Sequence, residues 1–209
     1  MKKIIDINSW KRKEHYLFFS DYNEPFFGIT ANVDCTKAYN KSKENKTSFF
    51  LYYMHKSLLA VNQIDEFHYR IEEANLVIYD VIHGSTTVAN AADLFSFTFL
   101  AYHHDFELFC DSAKAAIDNA KKLHSLGVDE NCSRIDVIHY STIPWLSFTG
   151  LTHERNFARP DSIPKITFGK YFDDNGKLML PMAVNAHHGL MDGLHVAKYF
   201  ELFQQLLNE

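Results

Sequence analysis

The run from Phe49 to Asn62 is apolar nearly all round a helical wheel, although His55, Lys56 and Asn62 interrupt it. A helix with no polar face has no side to give to water, so it must be buried between other elements. The flanking sequence supplies such elements. Trp10 to Phe19 reads as a short helix, and Phe27 to Val33 as a strand. Asp34 and Thr36 can cap the long helix that follows and contains the apolar run.

Strand and helix signals alternate through the rest of the chain. Phe67 to Ile71 and Leu76 to Tyr79 flank Glu72 to Asn75 like the arms of a hairpin, and Thr86 to Val88 and Phe95 to Tyr102 read as further strands. From Asp105, the residues Phe106, Phe109, Ala113, Ala116, Ile117, Ala120 and Leu123 recur every three or four positions, predicting a helix with one buried stripe that ends before Gly127. Strands follow at Asp136 to Ser141, Lys165 to Phe172 and Leu178 to His188, the last two joined through the turn Asp173-Asp-Asn-Gly176. A final helix from about Asp192 to Leu207 places Leu194, Ala197, Phe200, Phe203 and Leu207 on its inner face. This order predicts an α+β fold, a two-layer sandwich with a large mixed sheet and helices mainly on one face. With 209 residues, 46% hydrophobic and without a linker-like stretch, residues 1–209 are expected to form a single domain.

Several function classes fall away. A net charge of −5 offers no concentrated basic face, so no nucleic-acid partner is expected. The start, MKKIIDINSWKRKEH, lacks the apolar core of a signal peptide, and no window reaches the roughly 20 apolar residues that cross a bilayer. No membrane partner is expected, and a cytoplasmic location fits. Cys35, Cys110 and Cys132 are widely spaced and odd in number, suiting a reducing compartment better than a disulfide framework or a zinc site.

The chemistry-bearing segment is Asn185-Ala-His187-His188-Gly-Leu-Met-Asp192-Gly193-Leu-His195, where a long strand gives way to the last helix. Consecutive strand residues point to opposite faces, so only one histidine of the pair can face a given cleft. Asp192 falls at the helix N-terminus, where it can cap and meet the dipole. A lone histidine is ordinarily a satisfied or solvent-facing residue. A metal site of His187, His188 and Asp192 would need three diverging side chains to converge, so no metal is expected. No serine-nucleophile elbow is present.

The run HHGLMDG resembles the HHxxxDG signature of coenzyme A-dependent acyltransferases, and three further segments make the chain similar to the chloramphenicol acetyltransferase family over nearly its full length. Trp10-Lys-Arg12-Lys-Glu-His15 resembles that family's Trp-x-Arg-[Arg/Lys]-Glu-His run. Ser141-Thr-Ile-Pro144-Trp145 resembles Ser-x-x-Pro-Trp, and Thr167-Phe-Gly-Lys170-Tyr171 resembles Thr-Met-[Gly/Ala]-Lys-Tyr.

The resemblance implies an acetyl-CoA-dependent O-acetyltransferase acting on a hydroxyl of a small molecule. In that reading His188 is the general base, Ser141 supplies the oxyanion donor, and Asp192 pairs with Arg12 to support the site. Lys170, Tyr171 and Trp145 match positions near the 3′-phosphate, adenine and pantetheine of acetyl-CoA. A second phosphate-binding lysine of the family falls at Ser48, with Lys46 nearby. By residue type alone, Trp145 and Tyr171 would be core aromatics. Phe18, Phe19 and Thr167 belong with the acceptor pocket. His153, Arg155 and Lys165 fall where antibiotic-modifying relatives carry apolar groups, implying a basic wall that disfavours chloramphenicol and leaves those groups facing solvent or an anionic or hydroxyl-rich acceptor. The family pattern also implies a homotrimer with sites between subunits. The contrasting reading is a non-catalytic homologue that binds a ligand or coenzyme A.

Overall fold

The computed structural model describes residues 1–156 and 161–209. After a short strand, β1 (Lys2–Ile4), come helix α1 (Lys13–Ser20) and strand β2 (Phe26–Asp34). The first helix begins three residues later than the sequence suggests, because Trp10 to Arg12 form a turn closed by Lys13 N–H donating to the Trp10 carbonyl at 3.0 Å.

The expected long helix is two helices, α2 (Thr36–Glu44) and α3 (Phe49–Val61). The chain turns between them with Lys46 in the left-handed region at φ 52°, and Ser48 caps α3 by accepting the Leu51 N–H. As its pattern requires, α3 is buried on most sides, with Met54, Leu58, Ala60 and Val61 sealed from solvent.

Next in the chain are β3 (Tyr69–Glu72), β4 (Asn75–Tyr79), β5 (His83–Ala89), β6 (Phe95–Leu100) and α4 (Phe106–Lys121), whose buried stripe is Phe109, Cys110, Ala113 and Ala120. The chain ends with β7 (Val137–Thr142), β8 (Lys165–Phe168), β9 (Phe172–Asp174), β10 (Lys177–His187) and α5 (Gly193–Leu207). The stretch Lys165 to Phe172, expected to be one strand, is therefore divided between β8 and β9. Asn175 and Gly176 both take positive φ, 54° and 82°, closing the β9–β10 hairpin as the Asn-Gly pair predicts.

Two sheets form. β1, β4 and β3 make a small antiparallel sheet, while β2, β10, β8, β7, β5 and β6 form the spine of a seven-stranded mixed sheet, with β9 paired to β10. Strand β7 runs parallel to both β5 and β8, and the remaining pairs are antiparallel.

Alternation along these strands divides the large sheet into two chemically different faces. Ile138, Tyr140, Ile166, Phe168, Met182, Val184 and Ala186 join the main core with α3 and α5. Ser57 on α3 ties the layers together, its hydroxyl lying 2.7 Å from that of Tyr140 and 2.6 Å from that of Tyr199. The alternate positions, His139, Ser141, Lys165, Thr167, Asn185 and His187, lie on the other face. Cross-strand register aligns His139, Lys165 and Asn185 in one row, and Ser141, Thr167 and Ala183 in the next.

The inner face of α5 differs from the expected one. His195, Val196, Tyr199, Phe203, Leu206 and Leu207 are buried, whereas Leu194 is 62% exposed and Ala197 is also exposed. The stripe is rotated because His195 and Tyr199 are buried with their polar ends satisfied, a role that apolar periodicity does not register.

Candidate active site

His188 leaves the end of β10 with its N–H donating to the Pro25 carbonyl at 2.8 Å. Its ring stacks on Phe19, with centroids 4.1 Å apart and planes 7° from parallel, and Phe27 closes another side at 4.6 Å. Nδ1 is buried without a partner, which leaves Nε2 as the nitrogen able to meet a substrate.

Its neighbour His187 is turned away and spent locally. Nδ1 of His187 accepts the Gly189 N–H at 3.1 Å, and burial pushes the imidazole pKa down to about 4. A Cβ at Gly189 would meet the His187 ring at 3.1 Å and the Tyr16 backbone at 3.4 Å, so a side chain in the tight turn after the histidine pair would require the His187 ring to shift.

Arg12 and Asp192 fasten this turn from behind. Buried Arg12 donates from Nη1 to Asp192 Oδ2 at 2.7 Å and from Nη2 to the His188 carbonyl at 3.2 Å. Asp192 also caps α5 by accepting the Leu194 N–H. Desolvation opposes its ionisation, yet the Arg12 bond and nearby charges hold the Asp192 carboxyl below its ordinary value.

His195, which falls outside the expected site, belongs to this framework. Its Nδ1 accepts the Asp192 N–H at 3.1 Å, so the ring proton sits on Nε2, 3.2 Å from Glu66 Oε1. That tautomer cannot also donate to Asp192 Oδ1, despite the 2.9 Å separation. The capping-box geometry at an aspartate helix start offered a signal for His195, whereas Glu66 is distant in sequence and gave none.

Ser141 and Thr167 stand beside one another on β7 and β8 and line a cleft of about 490 Å³ together with His139 and His153. Thr167 Oγ1 lies 3.2 Å from His153 Nε2. Residues 151–153 line this cleft and also a second one of about 730 Å³, lined by Phe26, Gly28, Asn185 and Arg155 among others.

The basic wall is internally neutralised. Lys165 Nζ reaches Asp161 Oδ2 at 2.6 Å, and Arg155 meets the same oxygen at 3.1 Å, Glu24 at 3.4 Å and the Phe26 ring face at 3.1 Å. Neither cation needs solvent or an anionic ligand, contrary to the expectation from sequence. Desolvation acts against the Asp161 carboxylate, but the adjacent Lys165 and Arg155 hold its pKa below the ordinary value. Asp161 was not evident as a site residue because its role depends on partners brought together by the loop and β8.

The coenzyme candidates occupy one exposed edge. Trp145 is 78% exposed, so it is no core aromatic, and Leu146 beside it is also exposed. Lys170 is exposed and anchored by its N–H to the Leu146 carbonyl at 2.9 Å, while Tyr171 rests against Tyr39 and Phe49. Ser48 is committed to capping α3, and Lys46 is exposed in the preceding turn. Phe18 projects from α1, 60% exposed, and contacts Phe19 and Tyr22.

Among the described residues no group of side chains could hold a metal ion, and no helix is long and apolar enough to cross a membrane. All three cysteines are free.

Known proteins resemble this chain in both sequence and fold. The family model described as chloramphenicol acetyltransferase matches residues 2–204. A chloramphenicol acetyltransferase of Escherichia coli is 29% identical, with 98% of this chain and 93% of the relative covered. One from Clostridium perfringens is 29% identical over 98% of this chain and 97% of its own. A solved chloramphenicol acetyltransferase superposes with a TM-score of 0.92 at 33% identity, covering 99% of this chain and 100% of the other. The dihydrolipoamide acetyltransferase of Azotobacter vinelandii shares the fold at a TM-score of 0.72 and 16% identity, covering 100% and 90% of the two chains. The near-complete family match and the close structural likeness show that this chain belongs to the chloramphenicol acetyltransferase family and is an acetyl-CoA-dependent O-acetyltransferase.

Proposed function

We propose that His188 Nε2 takes the proton from an acceptor hydroxyl as that oxygen attacks the thioester carbonyl of acetyl-CoA. A carbon–oxygen bond forms, Ser141 donates to the resulting oxyanion, and the carbon–sulfur bond then breaks. The proton passes from His188 to the departing sulfur, so no acyl-enzyme is needed. The observation that carries this reading is the clamped His188 ring, held by Phe19 and Phe27 with only Nε2 left for substrate. Arg12 and Asp192 position it through the backbone. No observation among the described residues favours the non-catalytic alternative.

Acetyl-CoA is assigned to the edge bearing Trp145, Lys170 and Tyr171. A mobile cation suits phosphate, and exposed aromatic faces suit the adenine and pantetheine. The cytoplasm, where acetyl-CoA is plentiful, is the corresponding location.

The site is shared between chains of a homotrimer. Ser141 aligns with Thr167 and Ala183, which places it two strands away from β10 and five residues short of His188. At about 3.3 Å per residue and about 4.8 Å per strand, the two lie roughly 16 Å apart along the sheet and 10 Å across it. One acetyl group cannot contact both within a single chain. A partner's histidine entering the cleft beside Ser141 resolves this separation, in agreement with the family resemblance.

Co-expression of His188→Ala with Ser141→Ala chains tests both the chemistry and the sharing. Mixed assemblies should regain thiol release from acetyl-CoA, since some interfaces then combine an intact histidine with an intact serine. Failure to regain activity, with each variant folded and assembled, would overturn the shared site. A fully active His188→Ala protein would overturn the chemistry.

A further inference from the structure

The cleft containing Ser141 combines apolar side chains, among them Phe95, Phe97, Ile143 and Leu151, with a cluster of polar ones. Hydroxyls of Ser85, Thr87, Ser141 and Thr167 line it, together with the imidazoles of His139 and His153. Ser85 pairs with His139 across β5 and β7, and Ser141 pairs with Thr167 across β7 and β8, so these groups form a regular polar grid. Phe95 and Phe97 stand at one side, 47% and 36% exposed, with ring centroids 5.6 Å apart.

The charge in the cleft is also informative. Lys165 reaches it but is bound to Asp161 at 2.6 Å, and Arg155 is held by Asp161 and Glu24. Burial lowers the pKa of His139 to about 4 and depresses that of His153, so neither adds positive charge near neutrality. Glu154 is exposed at the rim and forms no ion pair among the described residues. Among the described residues the cleft therefore presents many neutral donors and acceptors, an aromatic and apolar face and one carboxylate without an ion pair.

We propose that this cleft takes a polyhydroxylated acceptor without negative charge, of the sugar or glycoside class, whose ring lies against Phe95 and Phe97 while its hydroxyls meet the Ser, Thr and His grid. The inference rests on the transferase reading and adds the acceptor class. A grid of hydrogen-bonding groups rejects ligands that leave them unpaired, and the aromatic pair supplies a face for the C–H side of a sugar ring. An anionic acceptor would meet Glu154 with no free cation to compensate among the described residues.

Phenyl β-D-glucopyranoside, its 2-amino-2-deoxy analogue and phenyl β-D-glucuronide test this with one scaffold and three charges. Titration calorimetry on the full chain measures binding, and thiol release from acetyl-CoA measures transfer. The glucoside and amino sugar should bind, with the glucuronide at least about tenfold weaker. Glu154→Gln, on an exposed segment, should narrow that gap. Asp161→Asn, if it folds, should reverse it by releasing Lys165 and Arg155. A glucuronide that binds as well as the glucoside, a gap unmoved by Glu154→Gln, or no binding by any of the three overturns the acceptor class. Thiol release with chloramphenicol alone would overturn this inference while leaving the transferase reading intact. Glucoside binding without thiol release would support the acceptor class and count against that reading.

Discussion

Phe19 lies flat against His188, its ring centroid 4.1 Å from that of the imidazole and its plane 7° from parallel. One residue along α1, Phe18 remains exposed, so the helix uses a single aromatic to fix the histidine. Fixing the ring without a side-chain hydrogen bond to Nδ1 makes orientation here a matter of packing rather than of a carboxylate partner. General-base catalysis depends on holding the accepting nitrogen in one place.

His188→Ala should fold with an unchanged unfolding transition, because the ring is only half-buried, and acyl transfer should fall by about 10²–10⁴-fold. Thiol release from acetyl-CoA with a working acceptor checks this. Unaltered kcat would remove His188 from the reaction.

Ser141→Ala should lower kcat by on the order of 10²-fold with little change in KM, since its bond to the carbonyl oxygen strengthens as negative charge develops there. Steady-state kinetics separates the two constants. A change confined to KM would assign Ser141 to ground-state binding.

Asp192→Asn deprives buried Arg12 of its counter-charge while leaving the bond to the His188 carbonyl. A loss of about 1–3 kcal/mol in denaturant unfolding is expected, together with a lower kcat, because the turn carrying His188 loosens. Wild-type stability should also fall as acid drives the pH down from Asp192's ordinary pKa of 3.8 through its lower folded value, a component absent from the variant. Identical acid limbs for the two proteins would contradict the pairing.

Half-buried His139 and buried His187 set a second pH window. Each has a folded pKa of about 4 against an ordinary 6.5, chiefly through desolvation, with Lys165 adding to the effect at His139 and Arg155 at His187. The unfolded chain binds protons that the folded chain refuses between these values. Stability is therefore fully present above about 6.5 and is lost as pH falls toward 4, by up to about 1.4 kcal/mol per pH unit for each histidine. Denaturant titrations across that range should show the slope, and His139→Asn should reduce it. A flat profile would show that both rings protonate in place.

Much of this was legible in the sequence because local chemistry dictated it. The all-round apolar character of α3 forced its burial, Asn175-Gly176 specified the hairpin, and the histidine-to-glycine segment marked the strand-to-helix junction. The break between α2 and α3 was missed although residues 40–48 are polar throughout and Ser48 was itself the capping signal. The face of α5 was misplaced since His195 and Tyr199 are buried through bonds to Glu66 and Ser57, partners that only the tertiary fold provides. The same reason conceals Asp161: a carboxylate between two cations is recognisable only once Arg155 and Lys165 have been brought to it.

Alternation in β7 and β8 has a consequence for how this molecule can diversify. Ile138 and Tyr140 face the helices while His139 and Ser141 face the cleft, and Ile166 and Phe168 alternate likewise with Lys165 and Thr167. Substitutions at every second position can thus alter recognition while the intervening residues keep the helices seated. A lineage could exchange one acceptor for another through changes at odd-numbered positions of these two strands, without rebuilding the scaffold that delivers His188.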